Sequence, residues 1–444
     1  MRVKILAFAF FAFFISSISV ARAVTKINTR HYVSALKLVT NVMLNDVASP
    51  VAASRYYAYI SIASYQTLSC YDQIRFPALE GSLNYFPSIK IDSNLIINTD
   101  KNLAIILSIF KTGEKLLPSG FMLKKQIDSL STVYSKDEKS RIIFTHTTKL
   151  VDEIVKQIIV YAKKDGFTKL NNLSRYTPKQ GDAFWKPTPP VFMAPVEPHW
   201  NTIRPFLIDS AQEYKTIKPV AYDTSVTSPF YKLMLEVYEM GKNATEEQKN
   251  IANFWDCNPF AVQQIGHVEF GLKKISPGGH WMGITGIACI KTKYSIEKTV
   301  IAHFLVATTL ADAFIACWDE KYRSNRVRPE TVIQKLIDPR WHPLLQTPPF
   351  PEYISGHSVA SNAAAVILTS IFGDKLTYDD DTEVEFGLPV RRFNSFIEAA
   401  TEAAISRLYG GIHFMDAIEA GKWQGIQIGN HALVKMEKYL EIIH

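Results

Sequence analysis

Three short segments in the last third of the chain hold polar groups that a purely structural helix bundle does not need. In Lys321-Tyr322-Arg323-Ser324-Asn325-Arg326-Val327-Arg328-Pro329 a helical pattern closes, and Pro329 forces Arg328 out of helical geometry, which fixes Lys321 and Arg328 as cations at the rim of a bundle. Phe350-Pro351-Glu352-Tyr353-Ile354-Ser355-Gly356-His357 leads into an alanine-rich stretch. There Ser355 reads as an N-cap, Gly356 lets a ligand approach the backbone closely, and the free amides of the first turn favour an anion. Ser406-Arg407-Leu408-Tyr409-Gly410-Gly411-Ile412-His413 ends one helix at a glycine pair and opens another, bringing Arg407 and His413 round one corner. Taken singly, each has an ordinary structural reading: a solvated basic run, a helix start, a satisfied histidine. Taken together, three cations, a glycine-opened helix N-terminus and two histidines converge on an oxyanion of phosphate size.

Helices must position these groups. Arg30 to Leu44, Ala52 to Leu68, Lys101 to Leu117 and Ser135 to Lys164 place apolar residues three and four apart, the period of helices with one buried face. Glu297 to Lys321, Ser358 to Phe372 and Phe393 to Leu408 repeat it, the last two with many alanines. No run of period-two alternation competes, so the fold class is all-α. The densest proline region, Lys186 through Pro205, bars a long helix and divides the chain into an N-terminal helical half at 24–185, a connection at 186–205 and a C-terminal helical half at 206–444.

The 444 residues are 47% apolar and 20% charged, a globular composition able to bury a sizeable core. Residues 1–23 read as a secretory signal: a basic start, an apolar run from Ile5 to Val20, and Ala21-Arg22-Ala23 as the cleavage site. An N-terminal membrane anchor is the competing reading, and no other stretch is expected to span a membrane. Localisation is therefore expected to be secreted or periplasmic. Removing Arg2, Lys4 and Arg22 with that segment lowers the formal charge from +7 to +4, too mild a balance for nucleic-acid binding. Cys70, Cys257, Cys289 and Cys317 are too few for a disulfide framework, their pairing is unreadable, and Cys289 and Cys317 lie in apolar surroundings as small hydrophobes.

Lys321-x6-Arg328-Pro329, then Ser355-Gly356-His357, then Ser406-Arg407-x5-His413 resembles the signature of the superfamily of vanadium-dependent haloperoxidases and type 2 phosphatidic acid phosphatases, in order and in spacing. The likeness extends more weakly to Ser49-Pro50-Val51-Ala52-Ala53-Ser54-Arg55, Pro187-Thr188-Pro189-Pro190, Pro198-His199-Trp200 and Gly279-His280-Trp281, which look like landmarks of bacterial members. It implies two helical bundles with the oxyanion site in the second and a superfamily core at about 298–431. It also implies roles. Lys321, Arg328 and Arg407 would neutralise the oxygens of vanadate, and Ser355 and the Gly356 amide would donate further hydrogen bonds. His413 would bind vanadium, with His357 as acid–base partner. Two departures stand out: Ile354 replaces the usual proline before Ser-Gly-His, and Ala417 the usual acid four residues after the second histidine. Asp416 stands one place early, about 100° round a helix, which leaves open whether it orients His413.

The same cage suits vanadate or a phosphoryl group at its five-coordinate transition state. Vanadate with hydrogen peroxide, halide and a small organic acceptor makes a haloperoxidase. A phosphate monoester, with His413 as nucleophile forming a phosphohistidine and His357 protonating the leaving alcohol, makes an acid phosphatase. Trp318 and Phe350 resemble the aromatic pair on the halide side of chloroperoxidases, and the chain's length exceeds what a minimal phosphatase needs, so the haloperoxidase is the preferred expectation. A non-catalytic oxyanion-binding protein would not need His357. Zinc chemistry at His357 and His413 is not expected, because neither has a companion at zinc-ligand spacing. Oligomeric state is not readable.

Overall fold

Capping residues and prolines fix the helix starts that the apolar period leaves blurred. The computed structural model describes residues 26–265 and 267–444, so the expected signal segment lies outside the described residues. Ser49, with Pro50 in the first turn, starts a 22-residue helix by accepting the Ala52 amide, and Ser276 with Pro277 and Ser228 with Pro229 repeat the device. The described residues contain fourteen α-helices. They are α1 (Thr29–Asn45), α2 (Pro50–Tyr71), α3 (Lys101–Leu116), α4 (Lys124–Tyr134), α5 (Glu138–Ala162), α6 (Pro229–Asn243), α7 (Glu246–Phe254), α8 (Pro277–Lys291), α9 (Ile296–Ser324), α10 (Pro329–Leu336), α11 (Gly356–Phe372), α12 (Phe396–Tyr409), α13 (Met415–Lys435) and α14 (Glu437–Ile443). Two short antiparallel ribbons interrupt the helices: β1 (Val262–Ile265) with β2 (Val268–Gly271), and β3 (Tyr378–Asp380) with β4 (Arg391–Phe393).

The apolar period anticipates α1, α2, α3, α5, α9, α11 and α12. Among the seven helices it does not anticipate, α8 and α13 have a physical reason: both carry several glycines, and α8 is buried on nearly every side, so neither shows one clean stripe.

α9 is the central element and packs against α2, α8, α11 and α13. By length and composition it could cross a membrane, which corrects the expectation that no such stretch exists, yet its apolar window is wholly buried inside the fold. The largest core cluster runs from Tyr32 to Ile443 and draws on both sides of the proline-rich connection. α13 lies against α11 through Gly421, Gly425 and Gly429, spaced four apart. A Cβ at Gly421 would come within 2.8 Å of the Ser355 carbonyl oxygen, and one at Gly425 would overlap the Val359 carbonyl oxygen. Only bare backbone permits this approach, which fixes the start of α11 against α13.

The connection forms no helix beyond the single turn Trp200–Thr202. It covers the end of α9 instead: the Val196 carbonyl accepts from Trp318 Nε1 at 3.2 Å and from Tyr322 Oη at 2.7 Å. All four cysteines are free and buried.

Candidate active site

The end of α9 explains how two arginines reach the core. Asn325 adopts a left-handed conformation (φ 54°) and its amide caps Lys321, so the chain turns sharply and sends Arg326 and Arg328 inward. Arg328 is extended (φ −82°, ψ 152°) before Pro329, as the proline requires. The two cations expected at a bundle rim are therefore fully buried: Lys321 and Arg328 are each 0% exposed, and Arg407 is 1% exposed.

Their partners are carbonyls rather than acids. Lys321 Nζ donates to the carbonyls of Pro351 (3.1 Å), Glu352 (3.2 Å) and Ile354 (2.5 Å), all on the segment leading to Ser355. Arg328 donates from Nε to the Phe350 carbonyl (2.9 Å) and from Nη1 to the Ile412 carbonyl (2.8 Å), while its buried Nη2 has no partner. Arg407 donates from Nε to Ser406 Oγ (3.1 Å). Among the described residues, none of the three forms an ion pair with a carboxylate. Three buried basic groups without counter-ions suit an anion.

His413 joins them with its geometry already set. Its Nδ1 donates to Glu352 Oε1 at 2.8 Å, which leaves Nε2 as the acceptor, and Arg328 Nη1 donates to it at 3.2 Å. Burial, with Arg328, Lys321 and Arg407 nearby, holds its pKa well below the ordinary histidine value, so the ring is neutral and the contact with Glu352 is a hydrogen bond to a carboxylate. His357 Nε2 lies 3.5 Å from Arg407 Nη1. Burial first, then Arg407 and His413, keep it neutral too, against the opposing effect of a hydrogen bond to the Trp255 backbone.

Ser355 caps α11 as expected, accepting from the Ser358 amide at 3.3 Å. At Gly356 a Cβ would meet only ordinary contacts, with Trp318 at 3.8 Å, Cys317 at 3.9 Å and Lys321 Cε at 4.0 Å. Protein packing thus tolerates a side chain there. Gly356, His357, Arg407 and His413 line one cavity with Trp318 and Phe350, whose ring centroids are 4.9 Å apart, and Lys321, Arg328 and Ser355 lie buried behind it. Lys321 Nζ and Arg328 Cζ lie 5.0 and 5.2 Å from the Phe350 ring centre. The structure therefore brings all nine sequence-selected residues together.

Sequence reasoning missed the group that orients His413. Asp416 does not reach it; both its oxygens bind Arg326, at 2.5 and 2.7 Å. Arg326 in turn donates from Nε to Glu352 Oε2 at 2.6 Å, and Glu352 holds His413. The 100° rotation of Asp416 is made good by an arginine relay, and the orienting acid comes from the segment before α11.

A family model described as the second helical-bundle domain of VCPO matches residues 301–442. The chain is similar to a bacterial vanadium-dependent iodoperoxidase of known structure, with 41% identity over 92% of this chain and 97% of that one and a TM-score of 0.86. Bacterial vanadium-dependent chloroperoxidase shares the fold, with a TM-score of 0.66 in both forms. The holo form is 15% identical over 88% of this chain and 93% of that one, and the apo form 14% identical over 88% and 94%. No curated protein sequence matches.

Proposed function

This chain belongs to the vanadium-dependent haloperoxidases, enzymes that use vanadate to oxidise halide with hydrogen peroxide, and from that premise we propose that its halide is iodide and its final acceptor a small activated organic molecule. Similarity to an iodoperoxidase supports the halide, which is also the most easily oxidised of the series. The start of the sequence supports a secreted or periplasmic enzyme.

The residues fit vanadate. Lys321, Arg328 and Arg407, with Ser355 and the Gly356 amide, would hold its oxygens, and His413 Nε2 would be the vanadium ligand. Bound vanadate supplies a Lewis-acidic centre that activates peroxide toward halide. The protein supplies the rest. Glu352 keeps the proton on His413 Nδ1, so Nε2 carries the lone pair that would bind. The buried guanidinium and ammonium groups polarise bound oxygens in a low-dielectric site. His357, held neutral beside Arg407, has Nε2 free of a proton and would be the base that accepts one from incoming hydrogen peroxide. Trp318 and Phe350 form the apolar wall along which halide approaches.

One observation carries this reading: three buried cations without acids surround a histidine whose lone pair is fixed outward by Glu352. The test is iodide oxidation by purified protein with hydrogen peroxide, with and without added orthovanadate, against bromide and chloride. Vanadate-dependent turnover fastest with iodide is expected. Hydrolysis of an aryl phosphate with no vanadate-dependent halide oxidation would overturn it in favour of the phosphatase.

A further inference from the structure

Beside the cavity, three side chains from three separate parts of the chain converge on one point. Cys257 follows α7, His280 lies in α8 within Gly279-His280-Trp281, and Glu383 follows β3. Their ligand atoms all lie within 4.8 Å of one another. Cys257 Sγ is 3.4 Å from His280 Nδ1, Glu383 Oε1 is 3.1 Å from the same nitrogen, and Sγ is 3.8 Å from Oε1. Tetrahedral zinc, with Zn–S of about 2.3 Å and Zn–N and Zn–O of about 2.0–2.2 Å, has ligand-to-ligand edges of roughly 3.3–3.6 Å. The triangle matches these edges to about 0.3 Å.

The surroundings support the match. His280 Nε2 donates to Asp380 Oδ2 at 2.8 Å, and Asp380 Oδ1 is itself held by the Thr382 amide (3.0 Å) and hydroxyl (2.6 Å). This is the outer carboxylate that turns the second nitrogen of a ligating histidine toward a metal. The group is sealed from water, with Cys257 2%, His280 0% and Glu383 3% exposed. Without metal, protons on both ring nitrogens satisfy Asp380 and Glu383 and leave the thiol its weak 3.8 Å contact with Glu383 Oε1, whereas one divalent ion engages all three ligand atoms at once. A set of one thiolate, one imidazole and one carboxylate selects zinc over magnesium or calcium.

We infer that Cys257, His280 and Glu383 bind one Zn²⁺ ion, with Asp380 orienting His280. The ion ties the segment after α7 to α8 and to the β3–β4 ribbon. It also sits behind the catalytic wall: His280 stacks on Trp255 (centroids 4.5 Å apart, 18° between planes), and the Trp255 backbone holds His357. Uptake displaces the Cys257 thiol proton and the proton on His280 Nδ1 into solvent.

The test uses the full chain, stripped of vanadate, equilibrated with excess Zn²⁺, desalted and analysed for metal by mass spectrometry. About one equivalent per chain is expected, falling at least tenfold in C257S and in E383Q. The melting temperature of the wild type rises with zinc and falls with a chelator, and that of the variants responds to neither. Cobalt(II) gives an independent reading: the wild type shows a near-ultraviolet thiolate-to-cobalt charge-transfer band and intense visible bands of a tetrahedral site. If C257S does not fold, the wild-type cobalt spectrum decides alone. Wild type that retains less than about a tenth of an equivalent, equal zinc in the wild type and both variants, or no thiolate band would overturn the inference.

Discussion

Glu352 Oε1 lies 2.8 Å from His413 Nδ1 and 3.0 Å from the Phe414 amide, so one carboxylate oxygen fixes both the ring and the backbone that carries it. Its other oxygen is held by Arg326, which Asp416 grips in turn. The lone pair of His413 is thus aimed by residues that do not line the cavity, as outer partners aim metal-binding histidines.

Removing that aim has a defined cost. In Glu352→Gln the amide cannot reproduce the acceptor on both sides, and vanadate affinity should fall about 10–100-fold. Asp416→Asn, one link further out, should fall less. Titration of vanadate by activity and by calorimetry checks both; an unaltered affinity in Glu352→Gln would remove Glu352 from the site.

The two histidines should separate binding from turnover. His413→Ala loses the bond to vanadium, so vanadate binding and iodide oxidation should vanish together. His357→Ala keeps the cations and His413, so binding should persist while the rate falls roughly a hundredfold or more, the scale of a lost acid–base group. Equal loss of binding in both variants would contradict the division.

The cage was legible because Lys321, Arg328, Ser355, Gly356, His357, Arg407 and His413 fall in three compact segments whose breakers and caps, Pro329, Gly356 and the Gly410-Gly411 pair, mark where the chain must turn. The proline connection was legible for the same reason. The relay through Arg326 was not: Asp416 is displaced along its helix by one residue, and only the folded backbone shows an arginine spanning the gap. Cys257, His280 and Glu383 share no local spacing, so no pattern in the chain announces them. α13 was hidden because Gly421, Gly425 and Gly429, which pack it most tightly, read in sequence as helix breakers.

That glycine stripe yields a stability prediction. Gly425→Ala places a methyl group against the Val359 carbonyl oxygen and the Ala363 amide, and α11 must shift to accept it. Overpacking of this kind costs about 1–3 kcal/mol. Denaturant unfolding should show it, accompanied by weaker vanadate binding, because Ser355, Gly356 and His357 open α11. Gly373→Ala, where no atom lies within 4 Å but φ is +87°, should destabilise without touching vanadate affinity.

Lys321 sets a pH dependence. Burial, with Arg328 as a further influence, pushes its pKa down from 10.5 to about 7 in the free protein. Below that value the ammonium attracts an oxyanion, and above it the amine does not, so anion affinity falls as pH rises through about 7. Sulfate, whose charge is constant in this range, is the proper probe, and the trend should disappear in Lys321→Met. Stability runs the other way. Between about 7 and 10.5 the unfolded chain holds more protons than the folded one, so the free protein gains stability as pH rises. A sulfate affinity independent of pH in the wild type would show that Lys321 stays charged.

Trp318 and Phe350 test whether the aromatic wall serves the halide or merely fills space. Both line the cavity, yet Phe350 also lies beside two cage cations while Trp318 donates Nε1 to the Val196 carbonyl, so they are anchored differently. If the wall guides halide, Trp318→Phe keeps an apolar surface and should change KM for iodide several-fold while leaving vanadate affinity intact. Phe350→Ala also removes the ring beside Lys321 and Arg328, and should weaken vanadate binding as well by about 0.5–2 kcal/mol, the range of a buried cation–π contact. Phosphate should inhibit all of these proteins by competing for Lys321, Arg328 and Arg407, and slow hydrolysis of an aryl phosphate should appear only where vanadate is withheld. A Trp318→Phe enzyme with unaltered KM for iodide, bromide and chloride would reduce that residue to a core aromatic.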